Sequence, residues 1–160
     1  MPTRKKITPR ISVIIPAFNE GEVIGNVIRQ IRAVVNQLDK SHEIIVIDDG
    51  SRDNTAQSAG NAGATVIQHP YNIGNGAAVK TGIRHARGKI LVTIDGDGQH
   101  DPNDIPKLVE RIGPYDMVVG SRSSESDTAA HRDVANLVFN SLATYISGRK
   151  IEDLTSGFRA

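Results

Sequence analysis

Ile11-Ser12-Val13-Ile14-Ile15-Pro16-Ala17-Phe18-Asn19-Glu20 changes character once, from a β-branched apolar run to a proline and then to polar groups. An apolar run without strict alternation fits a strand buried on both faces, as in parallel sheets. The same pattern recurs along the chain. Glu43-Ile44-Ile45-Val46-Ile47 runs into Asp48-Asp49-Gly50-Ser51, and Lys89-Ile90-Leu91-Val92-Thr93-Ile94 runs into Asp95-Gly96-Asp97-Gly98-Gln99. Ala64-Thr65-Val66-Ile67 is a weaker third strand in chain order, and Met117-Val118-Val119 a short fifth.

Helical patterns lie between these runs. Val23, Ile24, Val27, Ile28, Ile31, Val34, Val35 and Leu38 recur at helical spacing, with Asn19 as the expected N-cap and Glu22 three residues later. Further helices are expected from Asp53 to Asn61, with Asp53 as its cap, from Gly76 to Arg87, and from Asp101-Pro102 onward. Pro106 must then lie in a first turn or kink the helix. A last stripe, Val134, Leu137, Val138, Leu142, Tyr145 and Ile146, follows the polar loop Ser121 to Thr128. Strand and helix alternating five times predicts an open, mostly parallel, three-layer α/β/α sheet of Rossmann-like type with right-handed crossovers. Ligands of such sheets sit beyond the carboxyl ends of the strands, where the three polar clusters fall.

Composition narrows the function classes. The 160 residues carry 19 basic and 18 acidic side chains, a net charge of +1, which argues against a dedicated nucleic-acid binder. Residues 1–10 form a basic, flexible start in which Arg4, Lys5, Lys6 and Arg10 meet no acid; a solvated tail and attraction to an anionic membrane surface are the two readings. There is no cysteine, so disulfides and thiolate metal sites are excluded. Apolar runs are too short to span a bilayer and no signal-peptide core follows the basic start. The expectation is a cytoplasmic chain, with the cytoplasmic face of the membrane as an alternative address.

Asp95 and Asp97 stand two residues apart at a strand end, so both carboxylates can face the same way. Two facing carboxylates repel unless a proton or cation lies between them, and a hard divalent ion such as Mg²⁺, shared with a phosphate, is the natural partner. Gln99 adds an uncharged oxygen. Solvated Asp-Gly turns remain the alternative. An EF-hand is excluded, because His100 stands where that loop needs glycine and Pro106 where it needs its bidentate Glu. No Gly-x-Gly-x-x-Gly follows the first strand and no P-loop occurs, so a phosphate held here needs its charge offset by a metal. Phe18 offers an aromatic edge beside the crevice, and Asp49 is either a nucleobase acceptor or an Asx-turn residue. Asn72-Ile73-Gly74-Asn75-Gly76-Ala77-Ala78-Val79-Lys80 opens a helix whose N–H groups, with Lys80, either face an anion or simply pack closely on the sheet.

Taken together, Val13 to Glu20, Asp48-Asp49-Gly50-Ser51-Arg52-Asp53-Asn54-Thr55, Asp95 to His100, Val119-Gly120-Ser121-Arg122 and Asp153-Leu154-Thr155-Ser156-Gly157-Phe158-Arg159 resemble the family 2 glycosyltransferases of GT-A fold. Within them the chain looks like the branch that moves mannose or another hexose from a nucleotide sugar, GDP-mannose or a UDP-hexose, to a polyprenyl phosphate. The resemblance implies that Pro16, Ala17, Phe18, Glu20 and Asp49 hold the nucleoside, with Asp48 bracing the turn and Lys80 and Asp95 on the nucleotide. It implies Mg²⁺ or Mn²⁺ on Asp95, Asp97 and Gln99. Arg122 and Arg132 would meet phosphate, with a surface charge and a helix-start salt bridge as their plain alternatives. Asp153 would stand beside the anomeric carbon, and Ser156 to Arg159 would shape the acceptor loop. On this reading Asp97, Asp153 and Arg122 are the catalytic set and the product is inverted. Residues 11–160 are expected to form a GT-A nucleotide-sugar domain that ends within its acceptor motif. Another family 2 transferase, building polysaccharide or glycolipid, and a nucleotide-binding fragment without turnover are the rival readings.

Overall fold

The computed structural model describes residues 10–38, 40–120 and 157–160. Four parallel strands form the sheet: β1 (Ile11–Ala17), β2 (His42–Asp48), β3 (Thr65–Gln68) and β4 (Ile90–Thr93), in the order β3-β2-β1-β4. Val13 lies beside Ile44 on one side and Val92 on the other, so β1 is the central strand. Its seven residues are all buried, as an apolar run without alternation requires.

Alternation along β1 and β2 divides the core between two faces. Ile11, Val13, Ile15, Ile44 and Val46 join one cluster with Ile24, Val27, Ile28 and Ile31 of α1 (Ile24–Asn36), Ala59 of α2 (Thr55–Asn61) and Leu108 of α4 (Ile105–Arg111). Ile45 and Ile47 face the other way, against Ala78 of α3 (Asn75–His85). Helices therefore cover both faces and the architecture has three layers. Each fully buried isoleucine contributes about 1.5–3 kcal/mol relative to exposure, and eight isoleucines of β1, β2 and α1 are at most 2% exposed. That burial is the main stabilisation of the sheet.

Several sequence expectations need correction. The α1 N-cap is Val23, which makes no side-chain cap bond, and Glu22 is exposed. Asn19 instead adopts φ 55° and clips two loops together: its N–H donates to Ser51 Oγ at 2.9 Å and its Oδ1 accepts from Arg52 N–H at 2.9 Å. Asp53 lies one position before the α2 cap, Asn54, accepting from Thr55 N–H at 3.0 Å and from Gly21 N–H at 2.9 Å. A local pattern suggested a cap; a contact between distant loops uses the same side chain. Pro106 does lie in the first turn of α4, after a short 3₁₀ turn at Pro102–Asp104.

The fifth strand is not a parallel strand among the described residues. Val119 makes only an antiparallel bridge to Arg159, and Arg159 in turn bridges Thr93. Residues 157–160 thus lie between β4 and the 118–120 segment, held by Thr93 N–H to Arg159 O at 2.8 Å and Val118 N–H to Ala160 O at 2.8 Å. The expected helix at Val134 to Ile146 lies outside the described residues.

Candidate functional site

The strand order fixes where a ligand can sit. From β1 the chain moves to β2 and β3 on one side, then returns to place β4 on the other, and the loops after β1, β2 and β4 share one end of the sheet. A cleft of about 370 Å³ opens there, at the carboxyl ends of β1, β2 and β4. Its lining combines Pro16, Ala17, Phe18, Asn72 and Asn75 with the acids Glu20, Asp49, Asp95 and Asp97. Glu20, Asp95 and Asp97 act on one another electrostatically and make an acidic end, whereas Asp49 is bonded to the 73–74 loop between Asn72 and Asn75.

Asp48 and Asp49 divide their work. Asp48, 1% exposed, braces the turn: it accepts from Ser51 N–H at 3.0 Å and from Gln68 Nε2 at 3.0 Å. Asp49 accepts from Gly74 N–H at 2.7 Å, from Ile73 N–H at 3.0 Å and from His69 Nδ1 at 2.6 Å. Burial opposes ionisation of Asp49, but these hydrogen bonds and the nearby imidazole outweigh it and hold the carboxyl below its ordinary value. Gly50, at φ 74°, permits this turn; a Cβ there would lie 2.5 Å from the Tyr71 backbone.

Glu20 is the anomaly of the acidic end. Burial first, then the negative charges of Asp97, Asp95 and Asp53, push its carboxyl up to about 7, and among the described residues its buried Oε2 has no hydrogen-bond partner. An orphaned carboxylate oxygen beside two further acids is the electrostatic signature of a place suited to a cation. Gly96 lets Glu20 come this close, because a Cβ at that position would overlap Glu20 Oε2. Among the described residues no three His, Asp or Glu side chains converge into a ready-made cage. Asp95 and Asp97, with the Glu20 carboxyl beside them, are the side chains of this end whose chemistry fits a hard divalent cation.

The other sequence candidates fall in different places. Gln99 is exposed and outside the cleft lining, its N–H donating to Asp97 Oδ1 at 2.9 Å. Lys80 is exposed on α3, also outside the lining. Asp95 has His100 Nε2 at 3.4 Å, and the His100 ring packs on Phe158 with centroids 5.4 Å apart. Arg159 stands next to β4 through its backbone. Arg122, Arg132, Asp153 and Ser156 lie outside the described residues. Sequence reasoning did not single out His69, Asn72 or Asn75 as site residues. The signal was present for His69: it directly follows β3, where a polar residue reaches the same crevice.

The family model described as Glycosyl transferase family 2 matches residues 12–160. The chain belongs to glycosyl transferase family 2. Among its curated relatives, the undecaprenyl-phosphate 4-deoxy-4-formamido-L-arabinose transferase of Pseudomonas fluorescens is 37% identical, over 80% of this chain and 40% of that protein. The dodecaprenyl-phosphate galacturonate synthase of Rhizobium johnstonii is 33% identical, over 89% of this chain and 45% of that protein. The fold of this family 2 chain is also that of glucosyl-3-phosphoglycerate synthase from Mycobacterium tuberculosis in complex with Mn²⁺ and UDP-glucose. The two share a TM-score of 0.73 and 26% identity, over 94% of this chain and 55% of that one. The GT-A expectation is thereby met. The chain spans 40–63% of the length of the first curated relatives it matches.

Proposed function

We propose that this chain is the donor-binding part of an inverting, metal-dependent glycosyltransferase that moves a hexose from a nucleotide sugar to a polyprenyl phosphate. The observation that carries the reading is the convergence of Asp95, Asp97 and the unpartnered Glu20 Oε2 in one cleft with Phe18, Asn72 and Asn75. The acid-rich end suits a cation-bound pyrophosphate and the aromatic and amide groups suit a nucleoside. Family membership and the polyprenyl-phosphate acceptors named in two relatives support the choice of reaction.

Asp95 and Asp97 would hold Mg²⁺ or Mn²⁺, which supplies charge neutralisation for the leaving nucleoside diphosphate. The chain's own residues do the rest. Pro16 and Ala17 form the floor under the nucleoside, Phe18 covers one flank, and Asp48 and Asp49 hold the loops that shape the cavity. A phosphate acceptor is anionic at neutral pH and needs little general-base help, so Asp153 would orient it; toward a sugar hydroxyl, Asp153 would be the base. Arg122, Arg132 and Arg159 are assigned to donor or acceptor phosphate, and Ser156 to the acceptor loop, on the motif resemblance alone. No described helix is long and apolar enough to cross a membrane, and contact with the cytoplasmic membrane face belongs to the same proposal.

Calorimetric titration with GDP and UDP, each with and without Mn²⁺, tests the donor site. Metal-dependent binding of one of them is expected; metal-independent binding contradicts the cation role. Incubation with radiolabelled GDP-mannose or UDP-hexose and polyprenyl phosphate tests the acceptor. Label should pass to the organic phase, and label retained in aqueous polymer would favour a polysaccharide-building member of the family instead.

A further inference from the structure

We infer that His69 is a positioning residue of the donor cleft, fixing the loop that supplies Asn72 and Asn75 by bridging Asp49 to Thr81. Three elements meet at this imidazole. Its backbone N–H donates to Asp48 O at 2.8 Å, continuing the β2–β3 pairing one residue beyond β3. Its Nδ1 lies 2.6 Å from Asp49 Oδ1, and its Nε2 lies 3.0 Å from Oγ1 of Thr81 on α3. The His69 and Asp49 side chains are only 10% and 4% exposed, so water competes weakly for these bonds.

The chemistry of the partners fixes the direction of the bridge. A carboxylate only accepts, so Nδ1 carries the proton toward Asp49. Nε2 then meets a hydroxyl, which both donates and accepts, so the bridge persists whether the ring is neutral or charged. Asp49 uses both carboxylate oxygens on His69 and on the Ile73 and Gly74 N–H groups, the residues just before α3. The Asn72 to Asn75 wall is therefore anchored from beneath by Asp49, and Asp49 from behind by His69. Asp49 thus acts as the anchor of the wall, and Asn72 and Asn75 of that wall line the cleft beside it.

This inference rests on the donor-cleft reading above, and one experiment separates the two. Affinities for UDP and GDP in saturating Mn²⁺ are measured by calorimetry for wild type, His69→Phe, His69→Asn and Thr81→Val, with a thermal melt of each. Phe fills the space of the ring without a hydrogen bond; Asn keeps a donor at the Nδ1 position. His69→Phe is expected to bind the preferred nucleotide about tenfold more weakly, as expected when a buried acceptor loses its donor. His69→Asn is expected to stay within about threefold of wild type, and Thr81→Val to lose about threefold. Mn²⁺ affinity without nucleotide should stay constant across the set, since the bridge does not touch Asp95 or Asp97. A wild type that binds neither nucleotide overturns the donor-cleft reading. Wild-type binding with an unchanged His69→Phe overturns the role of His69. Should His69→Phe fail to fold, the Asn variant decides: a folded His69→Asn that binds as poorly as a tenfold loss also overturns it.

Discussion

Glu20 is held in the cleft with a carboxyl that titrates near 7, against an ordinary 4.5, and this has a definite consequence for stability. Between those values the folded protein retains a proton that the unfolded chain has lost, so stability falls as pH rises through the window. After allowance for the partial solvent access of the cleft, the loss should be roughly 1–2 kcal/mol. Urea unfolding in EDTA at pH 5 and pH 8 should show that loss in wild type and not in Glu20→Gln. Asp97 belongs to the same electrostatic group, and its exposed side chain carries little packing. Asp97→Ala should therefore weaken Mn²⁺-dependent nucleotide binding by at least about tenfold while circular dichroism and melting temperature stay at or above wild type. An equally tight Mn²⁺-nucleotide complex in that variant would remove the basis for the cation site.

Among the elements, α3 lies closest to the sheet where Gly82 faces β1. A Cβ at Gly82 would overlap Ile14 Cγ2 and come within 3.4 Å of Ile47 Cγ1, both fully buried. Gly82→Ala should destabilise the fold by about 1–3 kcal/mol by overpacking, despite the higher helix propensity of alanine. Chemical denaturation of the variant checks the sign; a stabilised protein would mean that α3 rides higher on the sheet. The elements themselves were legible because β1, β2 and α1 carry their own periodicity: Ile11 to Ile15 has no alternation, and Ile24, Val27, Ile28 and Ile31 share one helix face. What was not legible depends on contacts between loops distant in sequence. Asn19 has the side chain of a cap yet joins the loops after β1 and β2, and Asp53 adds to its bond with Thr55 N–H at the start of α2 a second one to Gly21 N–H, a contact no local pattern encodes. For His69 the position directly after β3 was legible, but its bridge was not, since its partners Asp49 and Thr81 lie on other elements. The acid cluster at Asp95 and Asp97 could be found because a strand end announces it locally; Gln99, in the same segment, is exposed and outside the cleft lining.

At the scale of the whole molecule, the segment 157–160 links β4 to the 118–120 segment. Phe158, 4% exposed, belongs to the main core and packs on His100, the neighbour of Asp95. Phe158→Ala should cost about 3–5 kcal/mol of stability, and denaturant unfolding with the His100 resonance as reporter would check both the loss and its route. An unshifted His100 signal would separate the core from the cleft. The antiparallel placement of this segment also bears on biosynthesis. Thr93 Oγ1 donates to Gly157 O across 64 residues of chain, so among the described residues the outer edge of β4 gains its partner only once translation has advanced that far. At about 5–20 residues per second this leaves a nascent chain with an open strand edge for roughly 3–13 s, the interval in which a chaperone or a neighbouring polypeptide would compete for it.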